Sequence, residues 1–182
     1  MNAALARLLQ ESPPSADAID TFIERSAFPL VDGDNITFVY RGDAEAVFLR
    51  CWISGLDTAQ PLQRLQGTDL WTVTIELPAG SRIEYKLEVQ ENGERELILD
   101  PLNDVRAHDP FGANSVCQGA GYRRPHWSLF DQHTRPGSLQ KCRVDSTAFG
   151  ESREFHVYLP ARFRHNRRHP LLIVHDGIDY LQ

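Results

Sequence analysis

Serine is the first residue type to consider for chemistry, because the sequence contains one near match to a nucleophile elbow. Such an elbow has the pattern Gly-x-Ser-x-Gly, and it places the serine on a sharp turn between a strand and a helix. The segment Gly150-Glu151-Ser152-Arg153-Glu154 has the first glycine and the serine but lacks the closing glycine. It also precedes a strand-like segment instead of following one. We therefore interpret Ser152 as a turn residue and find no catalytic triad in these residues.

Histidine and aspartate offer two candidate metal sites, and neither has the spacing of a known ligand set. His165 and His169 are four residues apart, which suits two ligands on one helical face, but the arginine-rich segment that holds them reads as a loop. Asp100, Asp104 and Asp109 do not fit the spacing of an EF-hand loop. Asx-turns and strand ends explain these aspartates better. We therefore predict no metal site and no other cofactor.

The charge of the chain argues against several classes of partner. Its 182 residues include 19 Lys and Arg against 25 Asp and Glu, which gives a net charge of -6. A surface for nucleic acid or anionic membrane needs clustered basic residues. The one dense basic run, residues 162–169, is interpreted as a solvated loop. Since no segment approaches the ~20 apolar residues of a membrane span, we predict neither a nucleic-acid nor a membrane partner.

The cysteines and the N-terminus bear on the compartment. Cys51, Cys117 and Cys142 are an odd number with no CxxC pair, whereas a disulfide framework in a short secreted chain needs an even number. The first ten residues have no basic region and no long apolar core, so they do not read as a signal peptide. These features predict a cytoplasmic protein.

Two periodicities define the elements that would position functional residues. Helical spacing predicts a short helix before Pro13-Pro14 and a second helix capped by Ser15, whose apolar face carries Ile19, Phe22 and Ile23. From about Asn35 the period becomes two. The predicted strands are residues 35–40, 46–52, 71–77, 83–89 and 96–99. Short strands with one apolar face each, joined by turns, predict an antiparallel β-sandwich in which one face of each sheet is wet.

The pattern changes in the second half of the chain. Residues 100–140 show no periodicity and are interpreted as a wrapping segment followed by a linker. Strand character returns around Val144, and in residues 154–159 apolar side chains alternate with polar ones. The continuous apolar run Leu171-Leu172-Ile173-Val174 predicts a strand buried on both faces, as in a parallel or mixed sheet. This indicates the start of a second domain of a different class, whose core the remaining residues are too few to complete.

Two local signatures resemble one family of hydrolases. The run from Trp71 through Ile83-Glu84-Tyr85-Lys86-Leu87 to Asp100-Pro101-Leu102-Asn103 resembles the immunoglobulin-like early-set domain. That domain is shared by glycogen-binding modules and by the N-terminal domain of enterochelin (enterobactin) esterases. Residues 153–160 and 169–177 are similar to the opening of the esterase domain in the same family, where a "VYLP" strand end precedes an "HDG" turn. The order of the two signatures is the family's domain order.

The resemblance implies a mainly β fold. We expect an N-terminal helical extension (residues 1–27), an immunoglobulin-like early-set β-sandwich (residues 28–120) and a linker (residues 121–140). Residues 141–182 would then be the incomplete beginning of an α/β-hydrolase domain, the esterase domain of the family.

The resemblance also implies a function, the N-terminal accessory part of a serine esterase. In its full-length form such an enzyme hydrolyses siderophore-type or related carboxylic esters through a Ser-His-Asp triad, and a ferric siderophore is an expected substrate. In this fold the loop after an early central strand supplies one backbone N–H to the oxyanion hole. By resemblance, Gly177 lets that loop turn and the amide of Ile178 is the candidate donor; the alternative is an ordinary strand-ending turn. This chain alone should be inactive, and a homodimer is an expected assembly.

Two alternatives remain open from the sequence. A glycan-binding module of the glycogen-binding type would stack sugars on exposed aromatic rings, yet the neighbourhood of Asp100-Pro101 contains none. Trp71 and Tyr85 fall on apolar strand faces, where core packing is expected. Trp52 could serve either role. The second alternative is a protein-interaction or dimerisation domain without a small ligand.

Overall fold

The computed structural model describes residues 2–10, 13–53, 55–109, 111–129, 133–175 and 177. The chain forms two compact units, residues 1–123 and residues 124–182. No helix in the described part is long and apolar enough to cross a membrane.

Two helices open the first unit, and both begin at the residues whose side chains cap them. Helix α1 spans Ala3–Leu8, and the Asn2 side chain accepts a hydrogen bond from the Ala4 amide. Helix α2 spans Ala16–Arg25, and the Ser15 hydroxyl accepts one from the Ala18 amide at 3.2 Å. Both caps satisfy N–H groups that have no partner inside the helix. The predicted second helix and its cap are confirmed.

Ten strands are described for the first unit, and they form two antiparallel sheets. In chain order they are β1 (Leu30–Asp32), β2 (Asn35–Arg41), β3 (Ala46–Cys51), β4 (Ala59–Pro61), β5 (Gln63–Arg64), β6 (Leu70–Glu76), β7 (Arg82–Glu91), β8 (Glu94–Ile98), β9 (Arg106–Asp109) and β10 (Gly112–Gln118). The first sheet has the order β1-β2-β6-β5. The second has the order β4-β3-β7-β10-β9, and β8 also pairs with β7. The predicted β-sandwich is confirmed.

The main core lies between the two sheets. Apolar side chains from alternate positions of the long strands meet there, as period-two patterning requires. Its largest fully buried members include Phe38 of β2 and Tyr85 of β7, whose rings pack edge to face with centroids 4.8 Å apart. Trp71 is also part of this core. The expectation that Trp71 and Tyr85 pack in the core is therefore confirmed.

A second core covers the outer face of the first sheet, which corrects one expectation. The sequence predicted that one face of each sheet would be wet, but Leu5, Leu8, Ile19 and Phe22 of the two helices pack there against sheet residues such as Val39. Val39 is wholly buried although it points away from the main core. The physical reason is that this face carries apolar side chains, which the amphipathic helices remove from water.

Strands β9 and β10 lie in the region that was interpreted as wrapping segment and linker, which is a second correction. Their sequences contain no alternation of apolar and polar residues. Strand β10 nevertheless pairs with β7 from Ser115↔Tyr85 to Gln118↔Arg82. Ser115 and Cys117 are fully buried. A central strand can lack an apolar pattern when its inward positions face polar partners, and Ser115 has such partners.

Those partners form a buried polar cluster around Asp100, defined by Tyr85, Asp100, Asn103, Arg106 and Ser115. The Tyr85 hydroxyl donates to Asp100 Oδ2 at 2.6 Å and accepts from Asn103 Nδ2 at 2.9 Å. The Asp100 amide donates to the Ser115 hydroxyl at 2.8 Å. Asp100 Oδ1 accepts the Leu102 amide at 2.8 Å, which is the Asx-turn expected at this aspartate.

Arg106 closes the Asp100 cluster from the solvent side. Its guanidinium donates to the backbone carbonyls of Asp100, at 3.1 Å, and of Asn103. Asn103 also donates to the Val116 carbonyl at 2.8 Å. The turn that follows β8 is thereby tied to β7 and β10. In the described part of the chain no buried side-chain nitrogen or oxygen lacks a hydrogen-bond partner, as native interiors require.

The second unit contains a short helix and one hairpin in its described residues. A 3₁₀-helix spans His126–Ser128, β11 spans Ser138–Ser146 and β12 spans Glu151–Leu159. The two strands pair antiparallel from Ser138↔Leu159 to Ser146↔Glu151. The predicted strand around Val144 and the predicted alternation in residues 154–159 are confirmed.

Replacing Phe22 by alanine tests whether the helices belong to the sandwich core. The Phe22 side chain is buried among α1, α2 and the first sheet, so its loss should lower the free energy of unfolding by about 3–5 kcal/mol. Urea unfolding followed by circular dichroism measures this change. Glu24→Ala, an exposed position on the same helix, is the control and should change stability little. A Phe22→Ala protein as stable as the control would show that helix docking contributes nothing.

Replacing Tyr85 by phenylalanine tests the Asp100 cluster. The ring keeps its core contacts, but Asp100 loses a hydrogen bond and an Asn103 N–H loses its acceptor. The expected cost is about 1–3 kcal/mol in urea unfolding. Tyr40→Phe in β2 is the matched control, because the Tyr40 hydroxyl has no hydrogen-bond partner among the described residues. Equal stability of the two variants would contradict a stabilising role for the cluster.

The destabilisation by Tyr85→Phe should depend on pH. Burial raises the pKa of Asp100 above its ordinary value, while the Tyr85 hydroxyl, the Leu102 amide and the Arg106 charge lower it. Without the hydroxyl the folded-state pKa of Asp100 rises further, and a raised carboxyl pKa costs stability as the pH increases through it. Unfolding at about pH 4 and at pH 7 should therefore show a smaller difference between variant and parent at the lower pH. A larger difference at pH 4 would refute this explanation.

Candidate functional site

The cysteines are placed where two of them cannot act as nucleophiles. Cys51 and Cys117 are buried in the main core, and all three cysteines are free. Burial raises the pKa of the Cys51 thiol, and it raises the pKa of Cys117 to about 11. Both therefore stay protonated near neutral pH, whereas a cysteine nucleophile reacts as the thiolate. Cys142 lies half-buried in β11.

A cleft of about 540 Å³ lies between the start of α2 and the turn joining β5 to β6. Two cations, Arg41 and Arg64, line it. Arg41 pairs with Asp20 of α2 and with Asp69, the latter at 3.0 Å, and Arg64 lies 3.5 Å from Asp43. Among the described residues, three carboxylates thus pair with two guanidinium groups and exceed them by one charge. The cleft offers no net positive charge to an anionic ligand, and its ion pairs instead tie α2 to the first sheet.

Among the described residues of the first unit, the exposed aromatic rings do not form a sugar-stacking platform. The side chains of Trp52 and Phe111 are each 88% exposed. Trp52 directly follows Cys51 of β3, and Cys51 pairs with Tyr85 on one side of β7. On the other side of β7, Ser115 of β10 pairs with the same Tyr85. Two strand spacings of about 5 Å separate β3 from β10, and Phe111 lies four residues, or about 13 Å, further along. The rings are too far apart to stack on adjacent sugars.

The hairpin of the second unit carries the serine that was weighed as a nucleophile. Ser152 lies within β12, opposite Asp145 of β11, and the two side chains are hydrogen bonded. The interpretation of Ser152 as a turn residue is therefore wrong. The turn precedes Ser152 and ends at Gly150, where φ is +66°. Strand β12 begins at Glu151, whereas a turn at Ser152 would have delayed the strand to residue 153. A serine within a strand that no helix follows is not at a nucleophile elbow, because the elbow is a turn between a strand and a helix.

The two faces of this hairpin differ in polarity. The cross-strand register places Cys142, Val144, Phe155, Val157 and Leu159 on one face, which is mainly apolar except near the turn, where it carries the ion pair of Arg153 and Glu151. The other face is mainly polar and includes the ion pair of Lys141 and Glu154, with 2.8 Å between Nζ and Oε2, although Leu139 and Tyr158 also lie on it. Val144 and Phe155 are 50% and 46% exposed. The apolar face is thus suited to cover by another layer, which the described residues of this unit do not supply.

The predicted buried strand at residues 171–174 is not present, which is a third correction. Its backbone is irregular, and Leu171 and Leu172 are both 84% exposed. A strand buried on both faces needs neighbours on its edges and layers above and below. The described residues of the second unit offer one hairpin, whose strands pair with each other.

The two residues proposed for the oxyanion loop follow this segment. Gly177 is described and is half-buried, and apart from its two chain neighbours no described residue has an atom within 4 Å of the position that a Cβ would take there. Ile178 lies outside the described residues. The role of both residues therefore stays a prediction.

The histidines that were weighed as metal ligands have another structural partner. His169 stacks on Phe163 with centroids 4.6 Å apart, and His165 meets the same ring edge-on at 5.0 Å. In the described ranges no group of three histidine, cysteine or acidic side chains is placed to hold a metal ion.

Sequence reasoning missed the Asp100 cluster as a unit. Asp100 and Asn103 stood out in the sequence only as part of the Asp-Pro-Leu-Asn run, and Ser115 and Arg106 did not stand out at all. The available signal was a serine followed by two apolar residues within a polar segment, which is weak. Tyr85, Asp100, Asn103 and Ser115 are buried, so they position strands and have no access to a substrate, while Arg106 is partly exposed.

Comparison with known proteins bears on the fold and the family. The family model described as enterochelin esterase, N-terminal, matches residues 35–127. These residues run from the start of β2 into the 3₁₀-helix and make up just over half of the chain. No curated protein matches the sequence.

Solved structures show the same fold at low sequence identity. Ferric enterobactin esterase from Salmonella typhimurium is 19% identical over 74% of this chain and 45% of that chain, with a TM-score of 0.51. The enterobactin esterase from Shigella flexneri, crystallised in the presence of enterobactin, is 21% identical over 74% of this chain and 43% of that chain, with a TM-score of 0.50. This chain thus spans less than half the length of either enzyme. Together with the family match, which confirms the resemblance seen in the sequence, the observed sandwich shows that the chain belongs to the enterochelin esterase family and carries its N-terminal domain.

Proposed function

We propose that this chain is the N-terminal accessory part of a serine esterase that hydrolyses siderophore-type or related carboxylic esters. The observation that carries the proposal is the family match over residues 35–127. The related enzymes are named for the hydrolysis of enterobactin, and their chains are more than twice as long as the part that aligns here. The sandwich would be the accessory domain, and the hairpin β11–β12 would open the hydrolase domain.

The second unit has the features expected of such an opening. Its hairpin carries one apolar face, and the apolar run at residues 171–174 is exposed. In an α/β-hydrolase both would be covered by further strands and by helices on the two faces of the sheet. Residues that supply this cover are not among those described, and a hydrolase segment following the present residues would supply it.

The chemistry of the complete enzyme would be attack of a serine on the ester carbonyl, with an acyl-enzyme intermediate that water then hydrolyses. The contribution of this chain would be one backbone donor to the oxyanion. Gly177 would permit the turn after residues 171–174, and the amide of Ile178 would point to the developing negative charge. Such a donor stabilises the transition state more than the ground state.

The first unit would act as a rigid body that shapes the mouth of the active site. The buried side-chain polar atoms that the structure describes are satisfied, and both arginines of its cleft have carboxylate partners. It therefore offers no catalytic group of its own. Three free cysteines are compatible with a reducing compartment, and we propose that the enzyme works in the cytoplasm.

The central test compares the present chain with the protein that includes the downstream coding sequence. Release of dihydroxybenzoyl-serine from enterobactin, followed by chromatography, measures hydrolysis. The chain of 182 residues should show no activity above the buffer blank, because it contains no Gly-x-Ser-x-Gly elbow. The longer protein should hydrolyse the ester. A longer protein that folds but has no esterase activity would refute the proposal.

The oxyanion role of Ile178 has a separate test in the longer enzyme. Ile178→Pro removes the backbone N–H and should lower kcat by about 10²–10³, the usual cost of losing one oxyanion-hole donor. Ile178→Ala keeps the N–H and is the matched control, which should retain kcat within a fewfold. Circular dichroism confirms folding of both variants. If both lose kcat equally, the side chain and not the amide matters, and the oxyanion assignment is wrong.

A further inference from the structure

The turn between β7 and β8 consists of only two residues, Asn92 and Gly93. Strand β7 ends at Glu91 and β8 begins at Glu94, and these two glutamates are cross-strand partners. The backbone φ is +53° at Asn92 and +77° at Gly93, as in a type I′ hairpin turn. Asparagine and glycine adopt positive φ more readily than other residues. The shape of the turn therefore favours the Asn-Gly sequence.

The Asn92 side chain is less restrained than those of other asparagines in the chain. It is exposed and has no hydrogen-bond partner among the described residues. Gly93 has no side chain, and apart from its chain neighbours no described atom lies within 4 Å of the place a Cβ would take. By contrast, Asn103 is held in the Asp100 cluster, and Asn114 donates to two carboxylates. The Asn92 side-chain amide is therefore open to reaction.

The turn is also weakly closed. Glu91 and Glu94 lie directly opposite each other, and like charges in that position destabilise a strand pair. In the described part of the chain neither glutamate forms an ion pair with a cation. The tip of a hairpin opens at lower cost than its body. Opening lets the peptide between Asn92 and Gly93 rotate, and this rotation brings the Gly93 nitrogen to the Asn92 side-chain carbon.

We propose that Asn92 is a site of self-modification, at which asparagine converts to aspartate and isoaspartate at a rate set by opening of this turn. The Gly93 backbone nitrogen, after losing its proton to hydroxide, attacks Asn92 Cγ. A bond forms between these two atoms, the bond from Cγ to the side-chain nitrogen breaks, and ammonia leaves. Water then opens the resulting five-membered succinimide ring at one of its two carbonyl carbons. The reaction needs no cofactor and no oxidant.

The two products have different effects on the sandwich. Aspartate tolerates the same positive φ and keeps the length of the turn, although it adds a carboxylate beside Glu91 and Glu94. Isoaspartate continues the chain through its side chain and adds one atom to the backbone, so a two-residue turn no longer fits. The pairing of β8 with β7 would then be lost from the tip. Because β8 leads into the Asp100 cluster, isoaspartate should lower the stability of the first unit.

The first experiment incubates the folded chain of 182 residues in ¹⁸O-labelled water at mildly alkaline pH. Chromatography separates the aspartate and isoaspartate peptides, and mass spectrometry detects the oxygen taken from water. Asn166 is the internal control, because it is also exposed in a turn but is followed by Arg167, whose side chain hinders the attacking nitrogen. Asn92 should react at least tenfold faster than Asn166. Equal rates at the two positions would overturn the proposal.

A second experiment tests whether opening of the turn sets the rate. Glu94→Lys places opposite charges across the end of the hairpin, so the turn should stay closed longer and the reaction at Asn92 should slow at least threefold. Glu96→Lys is the matched control, since it makes the same charge change in β8 at a position that faces Val89. Its rate should stay within about twofold of the parent. If both variants slow the reaction equally, closure by the Glu91–Glu94 pair does not set the rate and the proposal fails.

A third experiment measures the structural effect. The variant Asn92→Gly keeps a residue that accepts positive φ but lacks the reacting carbon. After the same incubation, the parent chain should unfold at a lower urea concentration than before, whereas Asn92→Gly should not change. Freshly prepared Asn92→Asp, which carries the aspartate product alone, should be more stable than the isoaspartate fraction of the incubated parent. An isoaspartate fraction as stable as Asn92→Asp would refute the effect assigned to the longer backbone.

Discussion

The hydrogen bond from the Tyr85 hydroxyl to the Asp100 carboxylate couples the main core to the turn that follows β8. A carboxylate buried in an apolar interior is costly unless its oxygens are satisfied. Here Tyr85 and the Leu102 amide satisfy them, while Ser115 receives the Asp100 amide. Because Tyr85 belongs to β7 and Ser115 to β10, the carboxylate and the backbone amide of Asp100 together tie the turn after β8 to both strands. An apolar residue at position 100 would lose the bonds to Tyr85 and to the Leu102 amide, and only the backbone amide would remain to bind Ser115.

The organisation of the first unit suits a scaffold more than a catalyst. Its described buried polar side-chain atoms are hydrogen bonded, burial raises the pKa of its two buried thiols, and the arginines of its cleft have carboxylate partners. The helices cover the outer face of the first sheet, so that sheet is buried on both sides. In the proposed esterase, the chemistry would therefore belong to the second unit and to the residues that complete it. The hairpin with its uncovered apolar face is the structural reason to expect such completion.

The two units differ in charge, which the composition of the whole chain does not show: the first is acidic and the second is basic. The net charge of -6 argues against binding of polyanions by the entire chain, and it led to the interpretation of residues 162–169 as a solvated loop. The structure agrees that the loop is exposed, and it adds that its arginines have no carboxylate partner among the described residues. A local cluster of this kind acts over roughly a Debye length of about 8 Å, so its environment matters more than the net charge.

The sequence by itself determined the elements whose patterning is local. Capping by Ser15, the alternation in β6 and β7, and the apolar face of β12 follow from side-chain periodicity and turn chemistry, which operate within a few residues. Only the tertiary structure decided the rest. Strand β10 is central because Ser115 meets a polar cluster contributed by distant residues, and Val39 is buried because helix residues 17 to 34 positions away in sequence cover it. The segment 171–174 shows the converse, since an apolar sequence becomes a buried strand only when other elements surround it, and here the described residues provide none.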